Sequence, residues 1–148
     1  MGVSSRSAPP SSDTISPVLK FTGVQIERDR RTRTITFHQK RYIEQMAEST
    51  KQYGIELKLY DTPHGSSKEE RAAFDKLLEC KDSPNISTII CLKLIGKLVW
   101  PSSMTRPDVS MEVSKLCSCV SDPRQVHYDW GLVVAGYLVS HAPLGITY

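Results

Sequence analysis

The sequence predicts an α+β fold, with a short N-terminal β-hairpin followed by a mainly helical bundle. Residues 19–37 contain two runs rich in β-branched and aromatic side chains on either side of a charged stretch, which is typical of a hairpin. Most of residues 39–140 repeat apolar side chains at the three- and four-residue spacing of amphipathic helices. The 148 residues suit one domain with a sizeable core.

The chain divides into a leader and one domain. Residues 1–17 are rich in Ser and Pro and poor in large apolar side chains, so they bury too little surface to offset the entropy of ordering and are predicted to be disordered. Residues 18–148 form the predicted domain. Within its hairpin, residues 19–26 and 34–37 are the expected strands and 27–33 the polar connection, and Gly23 predicts a bulge or a close backbone approach.

Two helices are predicted next. Residues 39–53 form a helix with its apolar face on Tyr42, Ile43, Met46 and Ala47, and Gly54 ends it. After a loop over 54–65, Ser67 and Glu70 have the spacing of a capping box. The side chains expected to be buried by this second helix are Ala73, Phe74, Leu77 and Leu78.

Three more helices complete the bundle. Residues 86–100 form an apolar helix that Pro101 is expected to end. Thr105 and Asp122 are the predicted caps of the two following helices, each close before a proline suited to a first turn. Residues 145–148 begin a strand. The expected buried stripes are Ile90, Leu94, Ile95, Leu98 and Val99; then Val109, Val113, Leu116, Cys117 and Val120; then Trp130, Val133, Val134, Tyr137 and Leu138.

Charge and cysteine content limit the function classes. The net charge is +3, but residues 20–41 carry seven basic side chains and two acidic ones. Such a local cationic surface can attract phosphates, and a solvated surface is the alternative. The four cysteines fit no common zinc spacing, so no metal or other cofactor is predicted. Without a secretory signal or an apolar run of about 20 residues, the expected place is the cytoplasm or nucleus, without a membrane partner.

Three ordered segments resemble one family, the copia-type retrotransposon Pol polyprotein. The first has Phe21, Gly23, Ile26 and Arg28, then Gln39, Tyr42 and Ile43, as in the family's Phe-Leu-Gly-x-x-Ile-x-Arg and Gln-x-x-Tyr-Ile. The second runs from Leu94 to Leu98 and from Thr105 to Asp108, similar to Leu-Ile-Gly-Ser-Leu and Thr-Arg-Pro-Asp. The third has Pro123, His127, Tyr128, Tyr137 and Leu138, although Lys-Gly-Thr does not follow. The resemblance covers roughly residues 19–148, and it implies that the helical bundle is similar to a thumb and connection region.

The resemblance implies the part of the reverse transcriptase that follows its catalytic Tyr-x-Asp-Asp, up to the start of RNase H near Tyr148. No Asp-Asp pair occurs in the chain. Polymerisation needs carboxylates that hold divalent ions, so no catalytic residue is assigned. By the resemblance, residues 21–37 would be a primer grip and residues 94–100 a thumb helix in the minor groove of an RNA–DNA hybrid. The implied nucleic-acid-binding residues are Gly23, Arg28, Arg30, Arg31, Arg33, Lys40, Arg41, Gly96, Lys97 and Trp100.

Structural alternatives accompany these assignments. Gly96 could admit a neighbouring helix with Trp100 in the core. Arg106 and Asp108 are expected first as helix-start residues, with mutual pairing or phosphate binding as the alternatives. His127 is expected to be a satisfied, partly buried histidine rather than a base. The expected function is a noncatalytic reverse-transcriptase fragment that binds an RNA–DNA or DNA duplex. The palm, the part of the polymerase that the fragment lacks, could come from a partner chain. The rivals are a helical protein-interaction module adopted by the host, using the exposed face of residues 86–100, and an inert fragment without a stable fold.

Overall fold

A four-stranded sheet and a set of helices confirm the α+β class. The computed structural model describes residues 19–64, 67–76, 79 and 81–148, and in residues 19–21 the backbone only. The predicted leader and Leu77, Leu78 and Cys80 lie outside the described residues. The elements in order are β1 (Leu19–Phe21), β2 (Val24–Asp29), β3 (Thr34–His38), α1 (Lys40–Gln52), α2 (Lys68–Asp75), α3 (Thr88–Met104), a 3₁₀ turn (Pro107–Val109), α4 (Ser110–Ser118), α5 (Gln125–Ser140) and β4 (Gly145–Thr147).

The sheet is antiparallel throughout, in the order β1-β2-β3-β4. The predicted first strand is wrong in two respects. It divides at a two-residue turn, where Thr22 and Gly23 have φ angles of 51° and 83°. A turn with positive φ at both central residues matches the twist of the strands in a tight hairpin. Strand β2 also continues to Asp29, through residues expected in the connection, because Glu27 and Arg28 pair with Thr36 and Ile35. Glu27 is half-buried and Arg28 is exposed, and an antiparallel strand with one face toward solvent can carry such charges.

The core lies where α3, α4 and α5 meet the inner face of α1. Phe74 of α2 joins it in an edge-to-face contact with Trp130, at 5.4 Å between ring centroids. Part of the predicted stripes is wrong, because Ala73, Ile90, Val99 and Cys117 are exposed. Completely buried apolar side chains include Ile43, Cys91, Leu98, Val109, Leu116, Val134 and Leu138.

Helix α3 does not end at Pro101, contrary to prediction, but continues to Met104. Pro101 has no N–H to give to the carbonyl of Lys97 four residues earlier. The Tyr42 hydroxyl donates to that carbonyl instead, at 3.0 Å. A side chain of α1 thus replaces the missing hydrogen bond, and the helix passes through the proline.

The capping box of α2 is confirmed by reciprocal hydrogen bonds between Ser67 and Glu70. The two other predicted caps, Thr105 and Asp122, are wrong. Thr105 ends α3, and its hydroxyl donates to Gln39 Oε1 at 2.8 Å. Helix α5 begins at Gln125, two residues after Pro123, and His127 Nδ1 accepts from the preceding Arg124 N–H at 3.0 Å. His127 is therefore a buried, satisfied histidine, as the structural alternative held.

The C-terminal strand is confirmed, and it pairs with β3 at the far end of the chain. The hydroxyls of Thr36 and Thr147 lie 2.9 Å apart, and Tyr148 stacks edge-on against Phe37. In the described part of the chain, no helix combines the length and apolar character needed to cross a membrane.

Candidate nucleic-acid interface

The turn between β2 and β3 is held by hydrogen bonds to the side chain of the last residue of β2. Asp29 Oδ1 accepts hydrogen bonds from the backbone N–H of Arg31 at 2.9 Å and of Thr32 at 3.3 Å. The Thr32 side chain, together with these N–H groups, lowers the pKa of Asp29. Arg33 adopts a left-handed φ of 57°, a conformation uncommon for a residue with a side chain. The backbone of the turn is thus fixed while its side chains extend into solvent.

Three of the predicted cations surround one depression. Arg28, Arg30 and Arg33, with Ile35, line a shallow open space of about 520 Å³ at the hairpin end. Arg31 is exposed on the same turn. Within the described residues, none of these four arginines forms an ion pair. A guanidinium is always charged and matches phosphate in a bidentate geometry, so the cluster has the chemistry of an anion-binding surface.

Lys40 and Arg41 lie at the start of α1, beside the same sheet. The Arg41 N–H donates to Gln25 Oε1 of β2 at 2.9 Å, which fixes this end of α1 against the strand. Both side chains are exposed. Lys40 Nζ lies 3.8 Å from the Glu44 carboxylate, a long exposed pair of the kind worth less than about 1 kcal/mol. Arg41 is therefore the more available cation.

Gly23 and Trp100 are brought together, although 77 positions separate them in the chain. A Cβ built on Gly23 would lie 3.7 Å from Trp100 Nε1. The predicted bulge is wrong, because Gly23 lies in a tight turn with a positive φ. A side chain at position 23 would reach the indole of α3 only at ordinary van der Waals distance, so the predicted close backbone approach is not seen there. Trp100 is half-buried and lies outside the main core cluster. The β1–β2 turn therefore lies beside Trp100 of the predicted thumb helix.

Gly96 lies one helical turn before Trp100, and the space around it is open. No atom comes within 4 Å of a Cβ built there, and the residue is exposed. The alternative in which Gly96 admits a neighbouring helix is wrong for this structure. A mid-helix glycine costs about 1 kcal/mol against alanine, and here no internal packing offsets that cost.

Lys97 belongs to the packing between α3 and α1 rather than to the exposed cations. Its Nζ donates to Ser49 Oγ at 2.9 Å and lies 5.9 Å from the centre of the Tyr53 ring. Lys93, which sequence reasoning missed, is exposed and lies three residues before Gly96. The helical spacing of Lys93, Gly96 and Trp100 was the signal that could have identified it.

Arg106 and Asp108 form an internal pair, as one of the predicted alternatives held, and the burial of Arg106 makes the phosphate-binding alternative wrong. Arg106 is 1% exposed and donates to both carboxylate oxygens of Asp108, at 3.0 and 2.8 Å, and to the His141 carbonyl at 2.8 Å. The Tyr137 hydroxyl donates to Asp108 at 2.7 Å. Burial opposes ionisation of Asp108, but the bonds from Arg106 and Tyr137 outweigh it and lower its pKa.

Comparison with known proteins leaves the interface to be judged on its own geometry. No protein-family model matches the chain, and no curated protein or solved structure does so either. Within the described ranges, no group of three or more His, Cys, Asp or Glu side chains is placed to hold a metal ion. The arrangement supplies a cluster of cations at the hairpin end, an open face on α3 around Gly96 and a turn beside the Trp100 indole.

Proposed function

We propose that this chain is a noncatalytic segment of a copia-type reverse transcriptase that binds the template–primer duplex. The arginine cluster carries the proposal. Four guanidinium groups occupy one hairpin end without an ion pair in the described part of the chain, and three of them line a single depression. Phosphate contacts by such groups supply most of the affinity of duplex binding.

The contact between Gly23 and Trp100 supports a continuous surface. It joins the hairpin to α3, whose Gly96 is exposed and open. An RNA–DNA hybrid has a wide, shallow minor groove that can accept a helix if bulk is removed. The hairpin would hold the backbone of the duplex, and α3 would approach the groove.

The test is binding of the purified chain to a labelled RNA–DNA hybrid at several salt concentrations. Replacing Arg28, Arg30, Arg31 and Arg33 with Gln should weaken binding and flatten the slope of log K against log salt, by about 0.9 for each phosphate that is no longer neutralised. The matched control replaces four other exposed cations, Lys51, Lys58, Arg71 and Lys81, with Gln. An equal loss in both quadruple variants would show that only net charge matters and would defeat the proposal.

A second set of variants tests α3. Gly96→Leu adds bulk where the chain itself has open space, so the fold should tolerate it while hybrid binding falls. Trp100→Ala should also weaken binding, with some loss of stability because Trp100 contacts the β1–β2 turn. Absence of hybrid binding at low salt would discard the nucleic-acid proposal altogether.

The second candidate function is a helical protein-interaction module. Its support is the apolar side chains that α3 leaves exposed around Gly96: Ile89 is 65%, Leu92 46% and Val99 38% exposed. Contiguous exposed apolar surface commonly marks a protein contact. A cooperative melt together with no hybrid binding would favour this candidate, whereas little helix by circular dichroism would favour the inert fragment.

A further inference from the structure

A concave groove opens between the end of α1 and the starts of α3 and α5. Its volume is about 540 Å³, within the range of small-molecule sites. Most of its wall is apolar and comes from the three elements and their flanking loops: Ile55, Ile86, Ile90, Leu94 and Tyr128. Ile90 is 48% exposed, so water covers apolar surface that a ligand could cover instead.

Two lysines give the groove a positive charge. Lys93 and Lys97 both line it and lie four residues apart on α3, hence on one face. Ser49 and the ring of Tyr53 hold the Lys97 ammonium, whereas Lys93 is exposed. No aspartate or glutamate lines the groove, and within the described ranges neither lysine forms an ion pair. A cation beside apolar walls, without an acidic neighbour, complements an anion that carries an apolar body.

We infer that this groove binds a small amphipathic anion, with an apolar chain or ring system and a single carboxylate or sulfonate group. The apolar body would lie against Ile90 and Leu94, and the anionic group would meet the Lys93 ammonium at the rim. Burial of the methylenes of the apolar body supplies affinity, and the charge supplies selectivity. The inference requires none of the hairpin arginines that carry the duplex-binding proposal, and the two proposals share only Lys93 and its neighbours on α3.

The test uses the full 148-residue chain and decanoate as the probe, by isothermal titration calorimetry. Decanol keeps the apolar body without the charge, and butyrate keeps the charge with a short body. Decanoate should bind saturably with a stoichiometry of one, decanol more weakly, and butyrate not at all. Equal affinity for decanoate and decanol, or no saturable binding of decanoate, would overturn the inference.

Variants of the groove locate the binding site. Lys93→Gln should lower decanoate affinity about threefold, as expected for a largely exposed ion pair, and leave decanol affinity unchanged. Ile90→Glu changes a half-exposed side chain and places a negative charge in the groove, so it should abolish decanoate binding without unfolding the chain. Lys81→Gln, outside the groove, is the matched control. Unchanged decanoate affinity in Ile90→Glu, with an unchanged circular dichroism spectrum, would place any binding elsewhere and refute the site.

Discussion

Gly136 of α5 lies against the backbone of Lys58, so closely that a Cβ at position 136 would overlap the Lys58 carbonyl oxygen. The loop between α1 and α2 can rest on α5 only because position 136 has no side chain. Gly96 of α3 is the opposite case, since a Cβ there would meet open space. The two helical glycines therefore allow a direct comparison between a position where a side chain cannot fit and one where it can.

Gly136→Ala should destabilise the chain by about 1–3 kcal/mol, the usual cost of overpacking. Gly96→Ala should stabilise it by up to about 1 kcal/mol through helix propensity. Urea denaturation followed by circular dichroism measures both changes. A neutral Gly136→Ala would mean that the loop moves away from α5 without cost.

Tyr42→Phe removes the donor that serves the Lys97 carbonyl, which Pro101 leaves without its helical partner. We expect a loss of about 1–2 kcal/mol in the free energy of unfolding, as for a polar group that loses a hydrogen bond within the fold. Tyr53→Phe is the control, since the Tyr53 side chain is largely exposed and its variant should behave as the parent. Equal stability of the two variants would argue against a role for the Tyr42 hydroxyl in carrying α3 through the proline.

Asp108→Asn should reduce stability by about 1–3 kcal/mol near neutral pH, because the buried Arg106 loses its charged acceptor. The pKa of Asp108 is lowered in the folded chain from an ordinary value of 3.8. Its contribution is therefore complete above that value and is lost as the pH falls through the lower folded pKa.

The measurement for Asp108 is urea denaturation of parent and variant from neutral pH to below about pH 4, where the ordinary carboxyl titrates. The two stability curves should converge at the acid end. Asp75→Asn is the control, because the Asp75 side chain is 74% exposed and its pair with Lys115 spans 3.5 Å. A constant difference between parent and Asp108→Asn at all pH values would contradict the predicted linkage.

Primed RNA, deoxynucleotides and Mg²⁺ provide the test of catalysis. We expect no primer extension by the purified chain, since the sequence has no Asp-Asp pair and polymerisation requires carboxylates that hold divalent ions. Extension above a blank without protein, and retained through a further purification step, would contradict the noncatalytic assignment.

Local sequence signals predicted much of the fold. The capping box of Ser67 and Glu70 and the apolar spacing of α1 and α5 act within a few residues, so they can be read without knowing the tertiary structure. The β1–β2 turn was missed because Thr22 is a β-branched residue at positive φ, outside the usual Asn-Gly or Asp-Gly signal.

The remaining errors depend on interactions between distant parts of the chain. Pro101 is accommodated by Tyr42, and the Arg106–Asp108 pair is completed by Tyr137 and His141. Lys97 was predicted among the nucleic-acid-binding residues, yet its ammonium donates a hydrogen bond to Ser49 of α1. Sequence spacing placed the basic hairpin correctly, but it could not show which cations have an internal partner.

Strand β4 also has a consequence for the order of folding. Its Thr147 meets Thr36 across 111 positions, whereas β2 and β3 are joined by a turn of four residues. Closing the longer loop costs more chain entropy, and pairing between residues far apart in sequence slows folding. We therefore expect the β2–β3 ladder to acquire hydrogen-exchange protection early in refolding, and the β3–β4 ladder only after the helices have brought the two ends of the chain together.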